Sequence, residues 1–173
     1  MVAGATSRKY TISTVLSTTA NAKAEELRHL MQRLFRRFGA LATESTPCGK
    51  PLSIAHAHAL TVLLVRGELS QQELGAELCI DKSNVARLCA KLVEAGHVKQ
   101  RPSEHDGRSR RVSLTVRGER AAREVEVASG ARFGALLTAL PRAQRDQVLE
   151  SLQHLVAALE GLPVVPSDER SNR

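Results

Sequence analysis

The sequence predicts a mainly α-helical protein with one small β-hairpin set between helices. Apolar residues make up 42% of the 173 residues but aromatics only 2%, so the core must come mainly from Leu, Val and Ala, as in packed helices. Over most of the chain apolar residues recur at three- and four-residue steps, and the step falls towards two only between His97 and Val116. An all-β sandwich is disfavoured by both observations.

Residues 1–20 are rich in Ser, Thr, Ala and Gly without a helical stripe and are expected to form a flexible tail, as are residues 161–173 with their prolines and scattered charge. From Asn21, the series Ala24, Leu27, Leu30, Met31, Leu34, Phe35 and Phe38 marks a long amphipathic helix. Two prolines and a glycine make 43–51 a loop, after which Ser53 can cap a helix running to about Val65, stopped by Arg66-Gly67-Glu68. Ser70 followed three residues on by Glu73 is the pattern of a reciprocal capping box, predicting a short helix to about Leu78. Asp81 can cap the next helix, with Val85, Leu88, Leu92 and Val93 on its apolar face and Gly96 as a left-handed stop.

Two helices joined by the few residues around Cys79-Ile80-Asp81 form a helix-turn-helix candidate. The hairpin follows at once: His97 to Arg101, a turn over Pro102 to Gly107, then Arg111 to Val116. Helical periodicity returns from Gly118 to about Leu140 and from Pro141, suited to a first helical turn, to about Leu159. The layout is that of a winged helix-turn-helix lobe at 52–117. A dimerisation helix and loop at 21–51 precede it and dimerisation helices at 118–160 follow, since a lone amphipathic helix of about 20 residues needs a partner surface.

The charge points to a partner. A formal net charge of +7 and a pI near 9.9 favour a polyanion, and between His97 and Arg120 seven Lys and Arg face three acidic residues. No run approaches the roughly 18 apolar residues of a membrane span and no signal-peptide pattern is present, so the expected location is the cytoplasm, with no membrane partner. Three widely spaced cysteines, Cys48, Cys79 and Cys89, argue against a secreted disulfide framework.

A helix-turn-helix with a basic wing can place one helix in the major groove of double-stranded DNA while the wing reaches a neighbouring groove. Lys82, Ser83, Asn84, Arg87 and Lys91 lie on the first turn and outward face of the second helix; Ser83, Asn84 and Arg87 have base-reading chemistry. Lys82 and Lys91 suit phosphate, as do Ser70, Gln71 and Gln72 at the preceding helix start. Arg108, Arg110 and Arg111 cluster beside the hairpin turn.

The segment Leu92-Val93-Glu94-Ala95-Gly96-His97-Val98, then Arg101, then Asp106-Gly107-Arg108-Ser109-Arg110-Arg111-Val112-Ser113-Leu114-Thr115 and Gly118 resembles the multiple antibiotic resistance regulator (MarR) family. The resemblance covers 21–159 in layout and is most specific over 52–118. It implies a homodimeric repressor, joined through its first and last helices, that binds a pseudo-palindromic operator with half-sites about one helical turn apart. It further implies that Asp106 positions Arg108 for the minor groove, and that a small phenolic or aromatic effector in a cleft releases the DNA. His56, where many relatives carry glutamine, His97, where an apolar residue is usual, and Gly107, in place of a wing arginine, depart from the family pattern.

Two other sensing modes remain open. Cys48 lies in a loop near Lys50, where a cation favours thiolate, so a redox switch of the same fold is the alternative; Cys79 and Cys89 fall on apolar positions and read as core. A metal switch is poorly served, since His56 and His58 project about 200° apart on a helix and His29, His105 and His154 are scattered. No nucleophile elbow, phosphate loop or zinc-protease motif is present, so neither an enzyme nor a cofactor is expected. The rival class is a winged-helix module that binds protein, or DNA of any sequence.

Overall fold

The computed structural model describes residues 7–42, 44–102 and 110–162. The chain divides into two compact units, 1–42 and 43–173. The first unit is built on one helix, α1 (Ser7–Phe38), closed by Gly39 at φ 85°. It starts well before the expected Asn21. The hydroxyl-rich stretch lowers helix propensity but contains neither Gly nor Pro from Ser7 onward, so nothing in it stops the helix. Leu27, Leu30, Leu34 and Phe35 of α1 are all exposed.

The second unit opens with the expected loop and proceeds through α2 (Ile54–Arg66), β1 (Leu69–Ser70), α3 (Gln71–Glu77), α4 (Lys82–Glu94), β2 (Val98–Pro102), β3 (Arg110–Leu114), α5 (Val116–Ala139), a 3-10 turn (Arg142–Gln144) and α6 (Arg145–Glu160). The caps explain the boundaries. Ser53 accepts from the His56 amide, both bonds of the Ser70/Glu73 capping box are made, and Asp81 accepts from the Asn84 amide. Thr115 caps α5 by accepting from the Gly118 amide, which starts that helix two residues before the expected Gly118. Pro141 leads into the 3-10 turn rather than into α6 itself.

Strand order is β1-β3-β2, antiparallel throughout, with Val98 opposite Leu114, Gln100 opposite Val112, and Leu69 of β1 opposite Val112 from the other side. The third strand was not expected. With two residues it has no alternation to detect, and its Ser70 also serves as the cap of α3.

One core holds the lobe together. It joins Ala59, Leu60 and Leu63 of α2, Leu69, Leu74 of α3, Val85, Leu88, Cys89 and Leu92 of α4, Val98, Val112 and Ala122 of α5. Leu60, Leu74 and Leu92 are fully buried, each such side chain contributing about 1.5–3 kcal/mol. Cys89, not Val93, completes the buried face of α4, since the steps from Val85 to Leu88, Cys89 and Leu92 follow one stripe and leave Val93 exposed. Cys79 corrects the core expectation: it is exposed, in the turn after α3, at φ 53°. The start of α5 lies so close to the wing hinge that a Cβ at Gly118 would collide with the His97 carbonyl. Within this unit α6 adds no residue to the core, and Phe133, Leu136, Leu137, Leu149, Leu152, Val156 and Leu159 of α5 and α6 are exposed.

Candidate nucleic-acid interface

The buried stripe of α4 fixes which side faces outward. Lys82, Ser83, Arg87 and Lys91 are exposed, with Ser83, Arg87 and Lys91 at four-residue steps along one ridge. Asn84 is half-buried and already engaged: its Nδ2 donates to Asp81 Oδ2 at 2.5 Å, and its Oδ1 accepts from the Arg87 guanidinium at 2.7 Å. The helix cap thus anchors a chain from Asp81 through Asn84 to Arg87, which orients the guanidinium before any ligand arrives.

The start of α3 is held equally firmly. Ser70 Oγ accepts from the Glu73 amide at 3.1 Å while the Ser70 amide donates to Glu73 Oε2 at 2.6 Å. Gln72 is exposed and Gln71 half-buried beside them. The Ser70 bonds, followed by the Arg111 guanidinium, hold the Glu73 carboxyl below its ordinary range.

At the wing, Asp106 and Arg108 lie outside the described residues, as does Gly107. Arg110 is exposed at the start of β3. Arg111 behaves differently from its neighbour: it is half-buried, donating to Glu68 Oε1 (3.2 Å), the Glu68 carbonyl (2.9 Å) and Glu73 Oε2 (3.1 Å). Glu68 also accepts a two-pronged bond from Arg101, 3.0 Å at each prong. Bonds from Arg101, then Arg111, lower its pKa. Sequence inspection had assigned Glu68 only to the end of a helix; its partners lie 33 and 43 residues away, beyond any local pattern.

Away from this surface, the thiol of Cys48 is 3.0 Å from Thr46 Oγ1, while Lys50 pairs with Glu124 at 3.1 Å instead of serving the thiol. Lys50 and Glu124 line an open cavity of about 620 Å³ along α5 with Val116, Arg120, Arg123 and Val127. Among the described residues, no three His, Cys, Asp or Glu side chains converge on a metal-sized site, and no helix is long and apolar enough to cross a membrane.

The two histidines that depart from the family pattern meet. His56 Nε2 on α2 is 3.1 Å from His97 Nδ1 at the wing hinge, with the rings edge to face. One ring must donate and the other accept, so at least one stays neutral. Burial, then the neighbouring His97 and Lys91, pushes the His56 pKa down; burial, then Arg117, does the same to His97. A histidine that resists protonation when folded binds more protons when unfolded, so its stabilisation is present above the unfolded value of 6.5 and is lost as pH falls below it. Thermal melts between pH 8 and pH 5 are expected to show Tm falling below about pH 6.5. A His56→Gln/His97→Leu variant is expected to flatten that slope, and an unchanged slope would assign acid sensitivity elsewhere.

Residues 50–109 match a model of the MarR family. The fold is similar to that of the PcaV transcriptional regulator from Streptomyces coelicolor: 22% identity, TM-score 0.65, covering 78% of this chain and 97% of that one. Similar too is Streptococcus pneumoniae FabT, whose structure is a complex with DNA (19% identity, TM-score 0.65, 83% and 99% covered). A third is Bordetella bronchiseptica BpsR, described by the regulation of its DNA binding by 6-hydroxynicotinic acid (19% identity, TM-score 0.63, 76% and 98% covered).

Proposed function

We propose that the protein is a homodimeric repressor of specific double-stranded DNA, released by a small aromatic effector, a reading supported by the match of residues 50–109 to a model of the MarR family and by a fold similar to that of a transcriptional regulator. The observation that carries the proposal is the ridge of α4. Lys82, Ser83, Arg87 and Lys91 stand clear of the core, and Arg87 is oriented through Asn84 and Asp81. In this role α4 enters the major groove, with Ser83, Asn84 and Arg87 facing bases and Lys82 and Lys91 facing phosphates. Ser70, Gln71 and Gln72 meet the backbone beside it and Arg110 stands at the edge of the adjacent minor groove, the groove that the sequence resemblance assigns to Arg108 with Asp106 as its positioning partner. Arg111 supports the wing from within, since its guanidinium is committed to Glu68 and Glu73.

The exposed apolar row of α1 and, in the other unit, those of α5 and α6 each offer apolar surface to a second copy. The effector suits the cavity along α5, where Arg120 and Arg123 offer cations beside Val116 and Val127, with Glu119 and the Lys50–Glu124 pair on the same lining. The effector class is supported by BpsR with 6-hydroxynicotinic acid and by NadR solved with 4-hydroxyphenylacetate. In that role the protein would act in the cytoplasm.

Binding to the DNA upstream of the protein's own gene and to a scrambled duplex, at several salt concentrations, tests this. A preference of roughly 10³-fold or more at dimer stoichiometry is expected. Equal binding to both would replace the repressor with a binder of any DNA.

A further inference from the structure

Arg101 and Arg111 sit directly opposite each other across β2 and β3. Like charges in that position repel, and the pair lies one step along the ladder from Arg110, which is proposed to stand at the DNA. The pair is tolerated because one carboxylate lies between them. Glu68 Oε1 accepts from Arg101 at 3.0 Å and from Arg111 at 3.2 Å, and its Oε2 takes the second prong of Arg101. Glu73 adds a bond to Arg111 at 3.1 Å, so two carboxylates balance two guanidiniums at the root of the wing.

Guanidiniums on a wing root are well suited to grip any phosphate, whatever the sequence beside it. We propose that Glu68 is a specificity-determining residue: by bonding Arg101 and sharing Arg111 with Glu73 it offsets positive charge that would otherwise favour indiscriminate phosphate contact, and leaves discrimination to α4 and the wing tip. The inference rests on the DNA-binding role proposed above. It differs from a purely architectural role for Glu68 in one respect. A brace that is removed should weaken binding to every DNA, whereas a restraint that is removed should strengthen binding to the wrong DNA.

Glu68→Gln keeps the size and acceptor oxygen of the side chain and removes its charge. On scrambled duplex the variant is expected to bind about three- to tenfold tighter at low salt, with the slope of log affinity against log salt steeper by about 0.9 for the one negative charge removed, since Arg111 keeps its bonds to Glu73 and the Glu68 carbonyl. Affinity for the preferred DNA should change less, so the specificity ratio falls. The double variant Glu68→Gln/Arg101→Gln is expected to give back about 0.9 of the added slope, which no general loosening of the wing would do. Wild-type protein that discriminates, with a Glu68→Gln variant whose scrambled-DNA affinity and slope are unchanged or reduced, overturns this inference alone. Wild-type protein that binds both DNAs equally overturns the proposed function and the inference together.

Discussion

Aspartate at both Leu152 and Val156 is expected to turn the proposed dimer into a monomer by light scattering and to weaken binding to the preferred DNA by at least about 100-fold. Leu149, Leu152, Val156 and Leu159 make a row on α6, 47%, 46%, 53% and 56% exposed in the single chain. That is too much apolar surface in one line for a helix facing water. In a two-fold interface each substitution occurs twice, and each places a carboxylate in an apolar seam, at about 1–3 kcal/mol or more per site. No α6 residue belongs to the core of the winged lobe, so the lobe should keep its far-ultraviolet spectrum while the dimer falls apart. DNA affinity falls steeply because binding two half-sites through one linked pair of lobes raises affinity by roughly 10²–10⁴ without a new contact. A variant that remains dimeric would move the interface away from this row.

Arg87→Ala is expected to weaken binding to the preferred DNA by about 30-fold or more, and binding to scrambled DNA much less. A well-formed contact between an arginine and a base contributes roughly 1–3 kcal/mol of discrimination. A two-fold dimer loses it in both half-sites. The guanidinium is anchored 2.7 Å from Asn84 Oδ1, and Asn84 is tied in turn to the Asp81 cap, so little side-chain freedom is left to lose on binding. Asn84→Ala, which cuts the chain but spares the guanidinium, should cost less than Arg87→Ala. Equal losses on both DNAs would make Arg87 a phosphate contact. Competition binding with the two duplexes at one salt concentration separates these results.

The elements that sequence inspection located share a property: their signals are local. The Ser53, Ser70 and Asp81 caps act within three residues of themselves, and the α4 stripe recurs within one turn. What was missed is set by distance or by absence. The His56–His97 contact spans 41 residues and the Glu68–Arg111 contact 43, and both depend on the lobe having closed. β1 exists only because β3 offers it an edge. The early start of α1 has no signal of its own, only the lack of a breaker. Cys79 looked apolar and helical, yet α3 ends at Glu77 and the reversal towards Asp81 requires a left-handed residue that the sequence fills without glycine or asparagine.

The close seat of Gly118 against the His97 carbonyl leaves no room for the first turn of α5 to slide independently of the wing hinge. Thr115 tightens the seat, donating from its hydroxyl to the Gly96 carbonyl and from its amide to the His97 carbonyl. From that clamped end the helix continues for 24 residues, an arm roughly 36 Å long whose tip moves about 3 Å for a tilt of only about 5°. Leverage therefore runs both ways. A tilt at the tip is expected to carry the wing hinge with it, and in the proposed role a lobe seated on DNA would constrain, through the same arm, where the tip stands.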